Sequence, residues 1–471
     1  MKNKILSIIC LFSVLALSGC KKYLEVYPKS SVAEDELFET ETGFQQAITG
    51  VYSQMASRNL YGDNLTMGFI SALAQNYAVS GSGVRFVDSR AVNLGSAEVQ
   101  NFSSAIWSTA YSAIAGANKV ISNCDKRRNL LSDQKYAMFL GEALALRAYL
   151  HFDLLRLFGP VYAYGASLKA IPYKTTVDQN PVPPSTTAEV IQFILKDLKE
   201  AEALMNTKDP IFSGALSRQI NLNYYAVKAL QARVLLYSGN NIDAYAAAKI
   251  VIDSGRFPFI SSFQVSTGAG QKDRLYLREQ VFCIRVRDIK TWVDPGYYRS
   301  NGGTTSRLTR SGTDFNNLFQ TASGGTTDFR YAYGIEADNG IAFPSKYWQT
   351  YQFNTLDSNR LDQYVPGIRV SEMYYIMAET APTVEEGITL LNTVRGNRGL
   401  GNLSLTIDRI TLQNEILREH QKEFYAEGQL WYYYKRKVIA KPQFISNSIT
   451  MDAERYRLPI PQAELEFNPT Y

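Results

Sequence analysis

Four glutamates, Glu415, Glu419, Glu423 and Glu427, recur at every fourth position near the C-terminus. On a helix that spacing sets all four carboxylates along one face. Such a row has two chemical uses: holding a divalent cation through carboxylate oxygens, or supplying the paired acids of a glycosidase. It also has a structural use. Like charges at i,i+4 destabilise a helix unless they are paired, and Arg418, Lys422, Arg395 and Arg398 stand ready in the same region. The structural use is the expectation, since ion-pair networks of this kind are common.

The two histidines, His151 and His420, each sit inside an apolar stretch with no cysteine or second histidine nearby. They read as core imidazoles and not as metal ligands. The sequence holds no Gly-x-Ser-x-Gly elbow, no His-Glu-x-x-His and no Cys-x-x-Cys. Gly268-Ala269-Gly270-Gln271-Lys272 lacks the spacing of a phosphate loop. No catalytic residue, metal or cofactor is expected.

Two aromatic segments suggest binding instead. Trp292, Tyr297 and Tyr298 lie among turn residues, with Asp294-Pro295-Gly296 between them. Sugar rings expose C–H faces that stack on aromatic planes, while their hydroxyls need fixed polar partners. Tyr77, Arg85, Phe86 and Asp88 form a second such set. The bland alternative for either is burial against the scaffold. Trp107 and Trp431 fall on helical faces and read as core.

The elements that must position these residues are mostly helical. Gln134 to Phe158 is apolar on nearly every face and stops at Gly159-Pro160, which predicts a central buried helix. Its Glu142, Arg147, His151, Asp153 and Arg156 then need internal partners. Leu222–Ser238 with Ile242–Ser254 reads as a tetratricopeptide-like hairpin, its alanines allowing close approach. Val370–Glu379 with Val384–Arg395 is a second pair. Between about Phe257 and Pro366 the helical period gives way to Gly, Ser, Thr and aromatic residues, apart from an alternating strand at Val281–Val286. Residues 60–101 share that loop-like character.

The chain has 471 residues and a formal net charge of +5, too balanced for a nucleic-acid footprint. Lys2 and Lys4 precede an apolar run from Ile5 to Leu17, then Leu17-Ser18-Gly19-Cys20. This predicts a lipoprotein signal over 1–19, with Cys20 lipidated. Cys124 and Cys283 remain as two buried thiols or one disulfide. The 31 tyrosines suit a surface that meets polar partners.

Several motifs, taken in order, resemble the SusD/RagB family. These are Tyr23–Ser30, Phe44–Tyr52, Trp107–Val120 with Tyr111, Ile114, Ala117 and Asn118, and Gly141-Glu142-Ala143 through Pro160. They continue with Glu279–Phe282, Asp328-Phe329-Arg330, Ile368–Glu372, Ala378-Glu379, Asn392–Arg395, Gly399-Leu400, Glu419–Trp431 and Leu458–Pro469. The family has Arg where His420 and Leu430 stand, and Asp-Leu where Tyr433-Tyr434 stand. The resemblance implies an all-α, SusD-like fold with tetratricopeptide-type helix pairs and a loop-rich excursion. The expected regions are the signal at 1–19, an N-terminal helical region at 20–260, the excursion at 261–366 and a C-terminal helical region at 367–471, forming one unit.

It further implies an outer-membrane, cell-surface lipoprotein that binds oligosaccharide and works with a SusC-like TonB-dependent transporter, with no nucleic acid involved. The alternatives are a surface polysaccharide hydrolase and a peptide-binding or structural subunit. The family's motifs are scaffold, so the resemblance supplies no ligand residues.

Overall fold

The computed structural model describes residues 34–78, 85–266, 268, 272–293, 296–297, 309–338, 341–348, 363–444 and 449–471. Eight principal helices carry the architecture: α1 Glu41–Met55, α2 Ala97–Lys126, α3 Asp133–Phe158, α4 Thr187–Met205, α5 Tyr224–Tyr237, α6 Asn241–Asp253, and, far along the chain, α8 Val370–Thr380 and α9 Val384–Gly396. Between them a shorter helix, α7 (Gly312–Phe319), lies in the excursion, and α10 (Arg409–Glu423) and α11 (Gln429–Lys437) follow. Each principal helix packs on the next: α1 on α2, α2 on α3, α3 on α4, α4 on α5, α5 on α6, α6 on α8, α8 on α9. The fold is mainly helical, as expected, and the stack is quasi-linear in the manner of helical repeats.

Local chemistry sets the helix boundaries. Thr186 and Glu189 form a reciprocal capping box at the start of α4, while Ser96 and Ser132 cap α2 and α3 through their hydroxyls. At Gly141 a Cβ would meet Met205 Cγ at 2.7 Å, so glycine there allows α3 and α4 to approach.

Every residue of α3 from Ala137 to Phe158 is buried, and its polar residues have found partners. Glu142 accepts from Tyr52 at 2.6 Å and Asn221 at 2.7 Å. Arg147 grips Asp197 with two bonds of 2.7 and 2.8 Å and Asn118 at 3.0 Å. Asp153 accepts from Tyr61 at 2.7 Å and from Arg156.

Between α6 and α8 the chain leaves the stack and returns. The predicted strand is present as β1 (Gln280–Arg285), but it does not alternate: its first five residues are buried. It is covered on both faces while pairing antiparallel with β4 (Tyr364–Arg369), Gln280 opposite Arg369 and Arg285 opposite Tyr364. A hairpin of β2 (Ile335–Asp338) and β3 (Ile341–Pro344) lies within the excursion.

Two other expectations change. Residues 60–77, read as open loop, are wholly buried. Many tyrosines are likewise core, among them Tyr149, Tyr375, Tyr434 and Tyr456. Cys124 and Cys283 are buried free thiols, not a disulfide. No described helix is long and apolar enough to cross a membrane. The signal and Cys20 lie outside the described residues.

Candidate functional site

The glutamate row is paired throughout. Glu419 meets Arg330 at 2.8 Å, Lys422 at 3.5 Å and Arg395 at 3.6 Å. Glu423 is held by Arg330 at 2.9 Å, Arg398 at 2.5 Å and Arg369. Glu427 binds Arg369 at 2.8 Å and Lys346. Glu415 binds Arg418 at 2.9 Å. Arg398 also reaches Glu279 at 2.6 Å, tying the foot of the excursion to α10.

The row is not one helix face, however. α10 ends at Glu423, and positive φ at Ala426 and Gly428 turns the chain, so Glu427 lies in the bend before α11. Arg330, Arg369 and Lys346 were missed because they come from the excursion and its strands. Their positions in Asp328-Phe329-Arg330 and Ile368-Arg369 were visible, their destination was not.

Burial alone would raise these carboxyls, but the surrounding guanidiniums outweigh it. Glu419 falls to about 2 and Glu423 lies well below the carboxylate range. Neither can serve as a protonated acid near neutrality, which a glycosidase requires. Asp273 goes the other way: burial pushes it to about 6. Its oxygens nevertheless accept the backbone N–H of Leu275 at 3.0 Å and Leu277 at 2.8 Å, a turn-forming role. No metal-ligand cluster occurs among the described residues.

The two aromatic segments do meet. Their junction is Asp63, a fully buried carboxylate in the 60–68 turns. It accepts from Arg85 Nη2 at 2.9 Å, from Arg58 Nη2 at 3.3 Å and from the Tyr297 phenol. Arg85 Nη1 also donates to Tyr297 at 3.1 Å, and its guanidinium lies 4.2 Å from the Phe86 ring centre. Phe86 and Tyr297 stack at 6.4 Å with an interplanar angle of 12°. Trp292 Nε1 donates to Gly62 O at 3.2 Å, and Arg58 lies 5.6 Å from the indole centre.

What positions this assembly is partly backbone strain. Phe86 has φ 74, rare for a bulky residue, and is fixed there by Glu98 at the start of α2. Glu98 accepts the N–H of Phe86 at 3.0 Å and of Ser89 at 2.8 Å. At Gly428, with φ 78, a Cβ would strike Leu65 O at 2.0 Å, so only glycine lets the 60–68 turns rest on α11.

Three expected ligand rings are corrected by burial. Tyr77 and Phe86 are 0% exposed and Tyr297 1%. Tyr77 donates toward Met67 O and Gly68 O, and Tyr297 serves Asp63, so each phenol satisfies an internal acceptor rather than a ligand. Trp292 sits in a short helix, Lys290–Val293, folded against the 60–68 turns instead of projecting. It stays half-buried beside the Arg58 side chain, which is 54% exposed; Arg85, at 38%, shares Asp63 with Arg58. Asp88 is half-buried and accepts from Asn93 at 3.0 Å. Tyr298 lies outside the described residues. Asp63, Arg58 and Glu98 had no distinguishing signal in the sequence.

A mainly helical stack with its excursion inserted between α6 and α8 defines a helical-repeat class of scaffold. Residues 22–236 match a family described as "Starch-binding associating with outer membrane", and residues 291–471 match the SusD family. The chain is 26% identical to SusD-like protein P2 of Formosa agariphila, covering 99% of this chain and 98% of that one. A SusD superfamily protein from Bacteroides thetaiotaomicron superposes with TM-score 0.68 at 23% identity, over 92% of this chain and 98% of the other. A SusD-like carbohydrate binding protein from Bacteroides vulgatus gives TM-score 0.71 at 16% identity, over 92% and 97%. This chain belongs to the SusD/RagB family.

Proposed function

We propose that the protein is a cell-surface glycan-binding lipoprotein, tethered through Cys20, that holds oligosaccharide and passes it to a SusC-like TonB-dependent transporter. The observation that carries this reading is the meeting of the 85–88 and 292–297 segments on Asp63. There a half-buried indole lies beside the partly exposed Arg58 guanidinium, with Arg85 on the same carboxylate. An indole face accepts sugar C–H groups, and Arg58 and Arg85 can direct hydrogens at ring hydroxyls. Family membership supports the outer-membrane setting. The carboxylates that a hydrolase would need are held ionised by arginines, which favours binding over cleavage.

The test is a glycan array on the chain from Lys21, followed by titration of the best ligand into Trp292→Ala and Arg58→Ala. Truncating an aromatic anchor weakens affinity by about tenfold to a hundredfold. The ligand itself should be recovered uncut. Unchanged affinity in both variants would move the site elsewhere, and release of reducing ends would replace this reading with the hydrolase.

A further inference from the structure

A second crevice lies away from Asp63, where α3, α5, α8 and α11 converge. It is lined by Arg156, Arg233, Tyr237, Tyr432 and Arg436, with His420 and Gln429 also in its wall. Its free interior is about 50 Å³, room for a few water-sized atoms. Gln429 and Arg436 are half-buried and form its rim.

Four of its residues carry a buried polar atom with no hydrogen-bond partner among the described residues: Arg156 Nε, Arg233 Nη1, Tyr237 Oη and Tyr432 Oη. These residues are only 3%, 5%, 5% and 3% exposed. Native proteins rarely leave such groups unpaired, and four around one crevice need a common cause. All four atoms can donate. The Tyr149 phenol lies within hydrogen-bonding reach of Arg233, so the donors left without any partner are Arg156 Nε, Tyr237 Oη and Tyr432 Oη.

The acids nearby are already committed. Asp153 serves Arg156 and Tyr61. Glu372 binds Arg233 through two bonds of 2.6 Å. Glu379 binds Arg436 at 2.8 and 2.6 Å and Lys437 at 3.1 Å. Lys437 lies outside the crevice and is partly exposed, so the crevice's own three cations, Arg156, Arg233 and Arg436, meet three carboxylates. His420 adds no charge, since burial lowers its pKa to about 4 and its Nδ1 is taken by Ile416 O at 2.9 Å. The complement of a small cavity walled by three guanidiniums and carrying surplus donors is a compact group that only accepts.

We propose that this crevice binds a small monovalent anion, specifically a carboxylate, with Tyr237, Tyr432 and the Arg156 Nε–H as its donors. The carboxylate has two sources, a free organic acid or an acidic sugar entering past Gln429 and Arg436. Removing an unpartnered hydroxyl does not harm a fold, so the double variant Tyr237→Phe/Tyr432→Phe remains native and serves as the control.

The experiment titrates sodium acetate and, separately, sodium glucuronate into the chain from Lys21 at constant ionic strength, reading the melting temperature. A crystal soaked in sodium bromide is examined for anomalous signal. A saturable rise that the double variant loses, together with a bromide peak beside the two phenols, is expected. Saturation by acetate assigns the free acid, and saturation by glucuronate alone assigns the sugar-borne one. Only water in the crevice, or a bromide peak with no saturable shift in solution, would overturn the proposal, the latter meaning binding at crystal concentration only.

Discussion

The phenol of Tyr297 donates to Asp63 Oδ1 across 234 residues of chain, and Asp63 has no exposure to solvent. A buried carboxylate must be fully hydrogen-bonded to be tolerated. Together with the Trp292 bond to Gly62 O and the Phe86–Tyr297 stack, this contact joins the excursion to the buried 60–68 turns.

Tyr297→Phe keeps the ring and deletes that donor, leaving Asp63 with Arg58 and Arg85. The expected loss is about 1–3 kcal/mol of unfolding free energy, read by urea denaturation. Affinity for a confirmed glycan should fall with it, because Trp292 shares the same segment. Full stability in the variant would show that the contact does not fasten the excursion.

The two histidines should stay neutral over the working pH range. Burial lowers His151 to about 3 and His420 to about 4. His151 Nδ1 meets Arg147 O at 2.9 Å, while Nε2 accepts the Lys174 N–H at 3.0 Å, leaving no place for a second proton. A lowered folded pKa means stability is complete above the unfolded value of about 6.5 and declines as the unfolded chain takes up protons below it. As these are the protein's 2 histidines, proton NMR of their imidazoles from pH 8 to 5 gives the check. Any midpoint inside that range would contradict the burial argument.

The carboxylate network adds a second, more acid window. Burial opposes ionisation of Glu419 and Glu379, yet neighbouring cations hold both to about 2. Their contribution is present above the unfolded value of about 4.3 and vanishes as pH drops toward 2. Glu423→Gln leaves Arg330, Arg369 and Arg398 short of a partner, and breaking a buried pair typically costs about 3–5 kcal/mol. Denaturation curves for parent and variant between pH 7 and 3 should draw closer below about pH 4.3, as the carboxyls of the unfolded chain take up protons while the folded network stays ionised. Parallel curves would show that Glu423 does not titrate with folding.

Both thiols among the described residues are silent in the native state. Burial lifts Cys124 and Cys283 to about 12 each, so neither supplies thiolate near neutrality. A chain from Lys21 should resist a thiol-specific chromogenic disulfide until denaturant is added, then react at both positions. Rapid native labelling would mean that one of the two is reachable.

The helical stack was legible because its signals are local. Apolar residues at helical spacing, with stops such as Gly159-Pro160, marked α3, α5, α6, α8 and α9 to within a few residues. The site was half legible. Sequence composition located the two segments that meet at Asp63, since aromatic and basic residues among turns are conspicuous. It misjudged which rings face outward, because Tyr77 and Tyr297 are spoken for by carbonyls and a carboxylate hundreds of residues away or hidden in a buried turn. Long-range hydrogen bonds leave no periodicity to read. The same reason hid Arg330 and Arg369 as partners of Glu423.

The antiparallel pairing of β1 and β4 closes a neck at the base of residues 286–363, while α6 rests directly on α8. The scaffold is thus continuous beneath the insertion, like a socket that accepts fittings of different length. Once a loop's ends are joined, doubling its length adds only about 0.6 kcal/mol of closure entropy. Length can therefore change in the parts of this segment away from Arg330 and Lys346, whose pairs with Glu419, Glu423 and Glu427 bind it to the helices underneath.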